Sequence, residues 1–115
     1  MDERILKWLF DIRFSIEEIE SFFTDKPKDF LVYKKNLMLK RAVERNLEII
    51  GEAVNRIINR DNSYIEKISN ARAIIGLRNQ VIHSYDNISD ENIWSIIINH
   101  LPELKTEVNS IINSK

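Results

Sequence analysis

The chain has 115 residues, no cysteine, 43% hydrophobic and 30% charged residues, and a formal net charge of −1. That length supports one domain spanning residues 1–115 and excludes two. The residue balance excludes a disordered chain, and the missing cysteine excludes disulfides and thiolate metal sites. With 2 glycines and 2 prolines the chain is too poor in turn residues for a sheet protein, so an all-α fold is expected.

The first predicted helix runs from Asp2 to Phe23. Its apolar residues Ile5, Leu9, Ile12, Ile16, Ile19 and Phe23 recur at steps of three and four, which places them on one buried stripe. The segment Thr24 to Lys28, with Pro27, ends it. A second helix is predicted from Asp29 to Arg60, long enough to kink, with Gly51 in its interior. A glycine there costs about 1 kcal/mol relative to alanine, and close approach of another helix backbone would compensate. Asp61-Asn62-Ser63 breaks the pattern, and Ser63 with Glu66 has the form of a capping box.

A third helical region, in one or two pieces, is predicted from Ile65 to Tyr85. Asp86 to Ser89 then turns the chain. Ser89 is a good N-cap, with Asp90 and Glu91 in the first turn of the last helix, where the helix dipole favours acids. That helix carries Ile93, Ile96, Ile97, Leu101, Leu104, Val108 and Ile111, and Pro102 is expected to kink or split it. Four to five amphipathic helices with short connections read as an antiparallel bundle.

The absence of cysteine suits a reducing cytoplasm, where the protein is expected to reside. The N-terminus mixes acids and bases from Asp2 onward without the apolar core of a signal peptide, and no apolar run approaches the roughly 20 residues of a membrane span. Charge is uneven: residues 26–60 carry nine Lys or Arg against four acids, a local net charge of +5. Such a segment either steers nucleic acid or forms a solvated helix face.

The segment Arg78-Asn79-Gln80-Val81-Ile82-His83-Ser84-Tyr85 carries the chemistry. An arginine neutralises a phosphate whose charge grows in the transition state, a histidine moves protons near neutral pH, and a tyrosine hydroxyl accepts a transferred group. At 100° per residue Tyr85 falls about 20° from Arg78, on the same apolar stripe as Ile74, Val81 and Ile82, whereas His83 falls about 140° away, near Asn79. An arginine on an apolar stripe needs a partner. It either pairs with a carboxylate such as Glu48 or Glu52, or serves a site. Glu48 and Glu52, four apart, otherwise pair with Arg45 or Arg56. Three routes bring Arg78 and His83 together: the long arginine side chain reaches round, the helix loosens near His83, or two subunits share the site. The two histidines, His83 and His100, are far apart, and no metal site is expected. Trp8 and Trp94 read as core or interface anchors.

The spacing R-x4-H-x-Y resembles the signature of HEPN-domain ribonuclease toxins, specifically the HepT-like branch. Arg45-Asn46-Leu47-Glu48-Ile49-Ile50-Gly51-Glu52-Ala53 resembles that branch's second-helix signature, Gly76-Leu77-Arg78-Asn79 leads into the motif in the same way, and Ile93-Trp94 with Leu101-Pro102 echoes its last helix. The likeness spans nearly the whole chain. It implies an all-α homodimer acting as a metal-independent endoribonuclease, with Arg78 and His83 of both protomers lining an interface cleft. Arg78 would hold the scissile phosphate, His83 would act as acid or base, and Asn79 would position the site, with Glu48 and Glu52 as supporting residues. The resemblance further implies a toxin–antitoxin pair. Its partner would be a small MntA-like nucleotidyltransferase antitoxin that transfers AMP to Tyr85, joining the toxin in a hetero-oligomer. No cofactor is expected beyond the RNA substrate and this partner. The competing expectation is a non-catalytic HEPN module whose groove binds a nucleotide or the nucleotidyltransferase.

Overall fold

The computed structural model describes residues 1–24, 28–83 and 89–114, with the backbone path alone for residues 80–83. Among the described residues there are six α-helices and no strand: α1 (Glu3–Ser21), α2 (Phe30–Lys35), α3 (Leu37–Arg60), α4 (Ala71–His83), α5 (Asp90–Ser95) and α6 (Leu101–Asn113). The all-α expectation holds.

Helix α1 starts where its chemistry dictates. The Asp2 carboxylate accepts from the N–H groups of Arg4 (2.8 Å) and Ile5 (3.2 Å), satisfying two donors that have no partner inside the helix. The same carboxylate takes the Arg60 Nε at 2.7 Å, tying the start of α1 to the end of α3. The arginine bond, followed by the backbone bonds, holds the Asp2 carboxyl below the usual aspartate range. The predicted stripe is the buried one: Ile5, Leu9, Ile12, Ile16 and Ile19 are all at most 2% exposed. It packs on α3, which contributes Val43, Leu47, Ile50, Val54 and Ile57, and on α6, which contributes Leu104 and Val108. Each such side chain contributes about 1.5–3 kcal/mol on burial, so this three-helix layer is the mechanical base of the molecule. Helix α4 lies outside it, against the other face of α3.

The predicted second helix is two helices. Asn36 adopts an extended backbone (φ −103°, ψ 97°) and caps α3 by accepting from the Leu39 N–H at 3.0 Å, while Asp29 caps α2 through Leu31 and Val32. An asparagine side chain that bonds nearby backbone offers the chain an alternative to continuing the helix. The break turns Tyr33 inward, fully buried, with its ring centroid 5.4 Å from that of Trp94. Phe23 and Phe30 complete the cluster around the Trp94 ring at 5.7 and 5.9 Å, so Trp94 anchors the core edge. Burial, then the nearby carboxylates of Glu44 and Asp90, push the Tyr33 hydroxyl far above the usual tyrosine range.

One other local expectation is corrected. The Ser63/Glu66 capping box does not form. Asp61 instead accepts from the Ser63 N–H and hydroxyl, and residues Asn62–Ile65 form a 3-10 turn. Aspartate at position 61 reaches those donors first, and the turn is too short to place Glu66 as a reciprocal cap. At the other end Ser89 accepts from the Asn92 N–H at 3.0 Å and starts α5, as expected. Pro102 splits the last helix through a π turn at Ile96–His100, in which the Leu101 N–H reaches back to the Ile96 carbonyl. Proline has no N–H for the carbonyl four residues earlier. The widened turn accommodates that loss, and α6 then restarts with Pro102 in its first turn, where the N–H is dispensable.

Candidate active site

The site is built on the crossing of α3 and α4. A Cβ placed on Gly51 would lie 2.4 Å from the Arg78 Cβ, 3.1 Å from its Cγ and 3.2 Å from the Ile74 carbonyl oxygen. Gly51 is therefore the point of close helix approach that its helix-interior position predicts. What it admits is the base of the Arg78 side chain.

Arg78 is half-buried. Its Nε is enclosed with no hydrogen-bond partner, and its Nη1 donates to the neighbouring Asn79 Oδ1 at 3.3 Å. Among the described residues no carboxylate pairs with it. Glu48 lies 3.7 Å from Arg45, and Glu52 takes the Arg56 guanidinium at 2.7 Å, so neither neutralises Arg78. Both ion pairs are partly exposed and contribute little to stability. The guanidinium is thus held by packing below and an amide beside it, with its charge uncompensated. That arrangement suits an anion that arrives from outside.

The bond to Asn79 also gives the guanidinium a direction. Asn79 lies about 100° round α4 from Arg78, and position 83 lies one turn beyond Asn79 on nearly the same line. The arginine head therefore bends toward the side of α4 on which position 83 falls by helix geometry. His83 is the last residue of α4, and its side chain lies outside the described residues. Tyr85, the expected AMP acceptor, lies outside them altogether.

Four residues bordering this face drew no individual attention in the sequence. Asn55, Asn59, Arg72 and Gly76 line a groove of about 350 Å³ between α3 and α4, together with Asn79. The signal was present: Arg72, Gly76, Asn79 and His83 recur at steps of four, three and four, one line along α4. On the opposite side of α4, Ala73, Ile74, Leu77 and Ile96 border a second, apolar groove.

Gly76 contrasts with Gly51. A Cβ there meets nothing within 4 Å. Gly76→Ala is expected to stabilise the fold by about 1 kcal/mol through helix propensity, read as a rise of a few degrees in Tm by calorimetry. A lower Tm would show that the groove floor is closed.

An all-α bundle carrying an Arg–Asn pair and a histidine five residues after the arginine, on a helix crossed at a glycine, is an HEPN-type domain. Residues 12–111 match the HepT-like ribonuclease family, described as "Ribonuclease HepT-like", and the chain belongs to that family. Among its relatives is "Putative RNase MJ1380" of Methanocaldococcus jannaschii, 39% identical over 94% of this chain and 97% of the relative. A second protein of that organism, "Putative RNase MJ0127", is 37% identical over 91% of this chain and 84% of its own length. "Probable ribonuclease HepT" of Thermococcus cleftensis is 35% identical over 85% of this chain and 86% of its own. No solved structure matches the chain. Among the described residues no helix is long and apolar enough to cross a membrane.

Proposed function

We propose that this protein is the toxin of a toxin–antitoxin pair and a metal-independent endoribonuclease. The observation that carries this reading is Arg78, seated on Gly51, without a carboxylate partner among the described residues, and inclined toward the His83 side of α4. Such an arginine is a phosphate holder in search of its phosphate.

In the proposed reaction Arg78 binds the phosphoryl oxygens of the scissile linkage and stabilises the charge that develops on them. His83 accepts the proton of the ribose 2′-OH, whose oxygen attacks the adjacent phosphorus. The P–O5′ bond breaks, the leaving oxygen takes a proton, and the products are a 2′,3′-cyclic phosphate and a 5′-hydroxyl. Asn79 fixes the guanidinium through its 3.3 Å bond. Glu48 and Glu52 support the site indirectly, by holding Arg45 and Arg56 along the neighbouring edge of α3. A second copy of the chain completes the cleft. The working location is the cytoplasm, where RNA and the partner are found.

Silencing in this account is covalent. The Tyr85 hydroxyl attacks the α-phosphate of ATP on an MntA-like nucleotidyltransferase antitoxin, pyrophosphate leaves, and AMP remains on the tyrosine. The added negative charge competes with RNA phosphate for Arg78. Tyr85→Phe is expected to cleave RNA as the parent does but to stay active beside the antitoxin, with no +AMP species in its intact mass. AMP found on another residue of the Tyr85→Phe chain would contradict this assignment.

Growth on induction tests the toxin. Arg78→Ala should relieve growth arrest while self-association and antitoxin binding persist. Arrest that survives Arg78→Ala and His83→Ala alike would favour a non-catalytic module whose groove binds a nucleotide or the partner.

A further inference from the structure

We infer that the groove between α3 and α4 is a nucleotide subsite: it takes one unpaired base of the RNA strand next to the cleaved bond, with that nucleotide's phosphate at Arg72. The inference rests on the ribonuclease reading above and adds to it the site that selects where the strand is cut.

Four observations carry it. The groove combines an apolar lining from Ile58, Ile65 and Ile75, against which a base can pack, with the amides of Asn55, Asn59 and Asn79 and the Arg72 guanidinium. Each amide offers one acceptor and two donors in a plane, the complement of a base edge; adenine, with N6 and N7 side by side, is the closest match. Arg72 is exposed, takes no ion pair among the described residues, and lies in the first turn of α4, where the helix end adds positive potential. Gly76 has no packing reason to be glycine, since a Cβ there meets nothing within 4 Å; its missing side chain keeps the groove floor open. Finally, the groove is in register with the chemistry. Arg72, Gly76 and Asn79 lie on the line of α4 that ends at His83, and Asn79 precedes position 83 by about 6 Å along the axis. A strand held at Arg72 and Asn79 continues toward the pair that cuts it.

A volume of about 350 Å³ falls at the small end of the ~300–1,000 Å³ range of ligand sites. That suits one base rather than a duplex, whose edges are already paired. Sequence-reading by RNA-binding proteins targets such splayed single-stranded bases.

The test uses the full chain and single-stranded RNA with randomised bases around the cleaved bond. The Arg72→Ala/Asn59→Leu double variant changes two exposed side chains, and circular dichroism and Tm verify its fold. The expected result is a KM raised about tenfold with kcat retained, and a flattened base preference beside the cut. Arg72→Ala alone should reduce the salt slope of binding by about 0.7, one phosphate contact on a single strand. Gly76→Leu, which fills the floor, should raise KM in the same way. Unchanged KM and base preference in variants that fold, beside an active parent, would overturn the subsite and leave the ribonuclease reading intact. A 2′-O-methyl RNA of the same sequence, which lacks the nucleophile, separates the two ideas. If the parent binds this probe but leaves unmodified RNA of the same sequence uncleaved, the ribonuclease reading falls, while a tenfold loss of binding in the double variant still supports the groove. No binding by the parent, or equal binding by parent and variants, overturns it.

Discussion

Arg78→Ala is expected to reduce RNA cleavage by about 10²–10³-fold, the usual cost of removing one preorganised donor to a developing oxyanion, with little loss of stability. The structure explains why the two effects separate. Alanine keeps the Cβ that packs against Gly51, so the α3–α4 crossing retains its closest contact. What is lost is a guanidinium whose Nε has no hydrogen-bond partner and whose Nη1 bonds only the adjacent amide among the described residues. Removing it relieves a buried, unsatisfied donor and so offsets part of the lost packing. Arg78→Lys should not rescue the rate, because an ammonium cannot form the bidentate pair with phosphate. Single-turnover rates with Tm measured alongside check this. A variant that loses activity only in proportion to its loss of folded protein would place Arg78 in the scaffold.

The second large effect is expected at Gly51. Gly51→Ala adds one methyl, but its carbon would sit 2.4 Å from the Arg78 Cβ and 3.2 Å from the Ile74 carbonyl oxygen. The first is the rigid root of a side chain and the second is backbone, so neither yields without α4 moving away from α3. Overpacking of this kind costs about 1–3 kcal/mol, which outweighs the roughly 1 kcal/mol that alanine gains in helix propensity. The same shift carries Arg78 off its position, and a displacement near 1 Å costs about 10²-fold in rate. Gly51→Ala should therefore lower both Tm and kcat, whereas Gly76→Ala raises Tm. Thermal unfolding of the two variants side by side checks the crossing directly: one substitution, in two helices, with opposite signs. Equal signs would contradict the geometry of the site.

How far the sequence was legible follows from which interactions are local. The α1 stripe was readable because its partner is water on one side and core on the other, and a period of 3.6 records that directly. Gly51 was readable as a close approach because a helix-interior glycine needs a reason, although the sequence could not say that Arg78 was what approached. The break at Asn36 was hidden. Its cause is a competition between two hydrogen-bonding states of one asparagine, decided by burying Tyr33 against Trp94 from α5, some sixty positions away. The capping box at Ser63 failed for a related reason, since Asp61 two residues earlier was the better acceptor. At the site, the motif fixed the helix and the face but not the direction of the guanidinium. That direction comes from the bond to Asn79. The groove residues Asn55, Asn59 and Arg72 escaped notice because asparagines on a helix surface carry no periodic signal of their own. They acquire meaning when α3 and α4 lie side by side.

The central claim is that Arg78 and His83 cut RNA by attack of the ribose 2′-OH without a metal. Its most direct measurement is incubation of purified, unmodified protein with total RNA in EDTA beside His83→Ala, followed by end-group analysis of the fragments. The account predicts EDTA-resistant fragments ending in 2′,3′-cyclic phosphate, reduced by about 10²–10⁴-fold in the variant. Cleavage abolished by EDTA and unaffected by His83→Ala would contradict it.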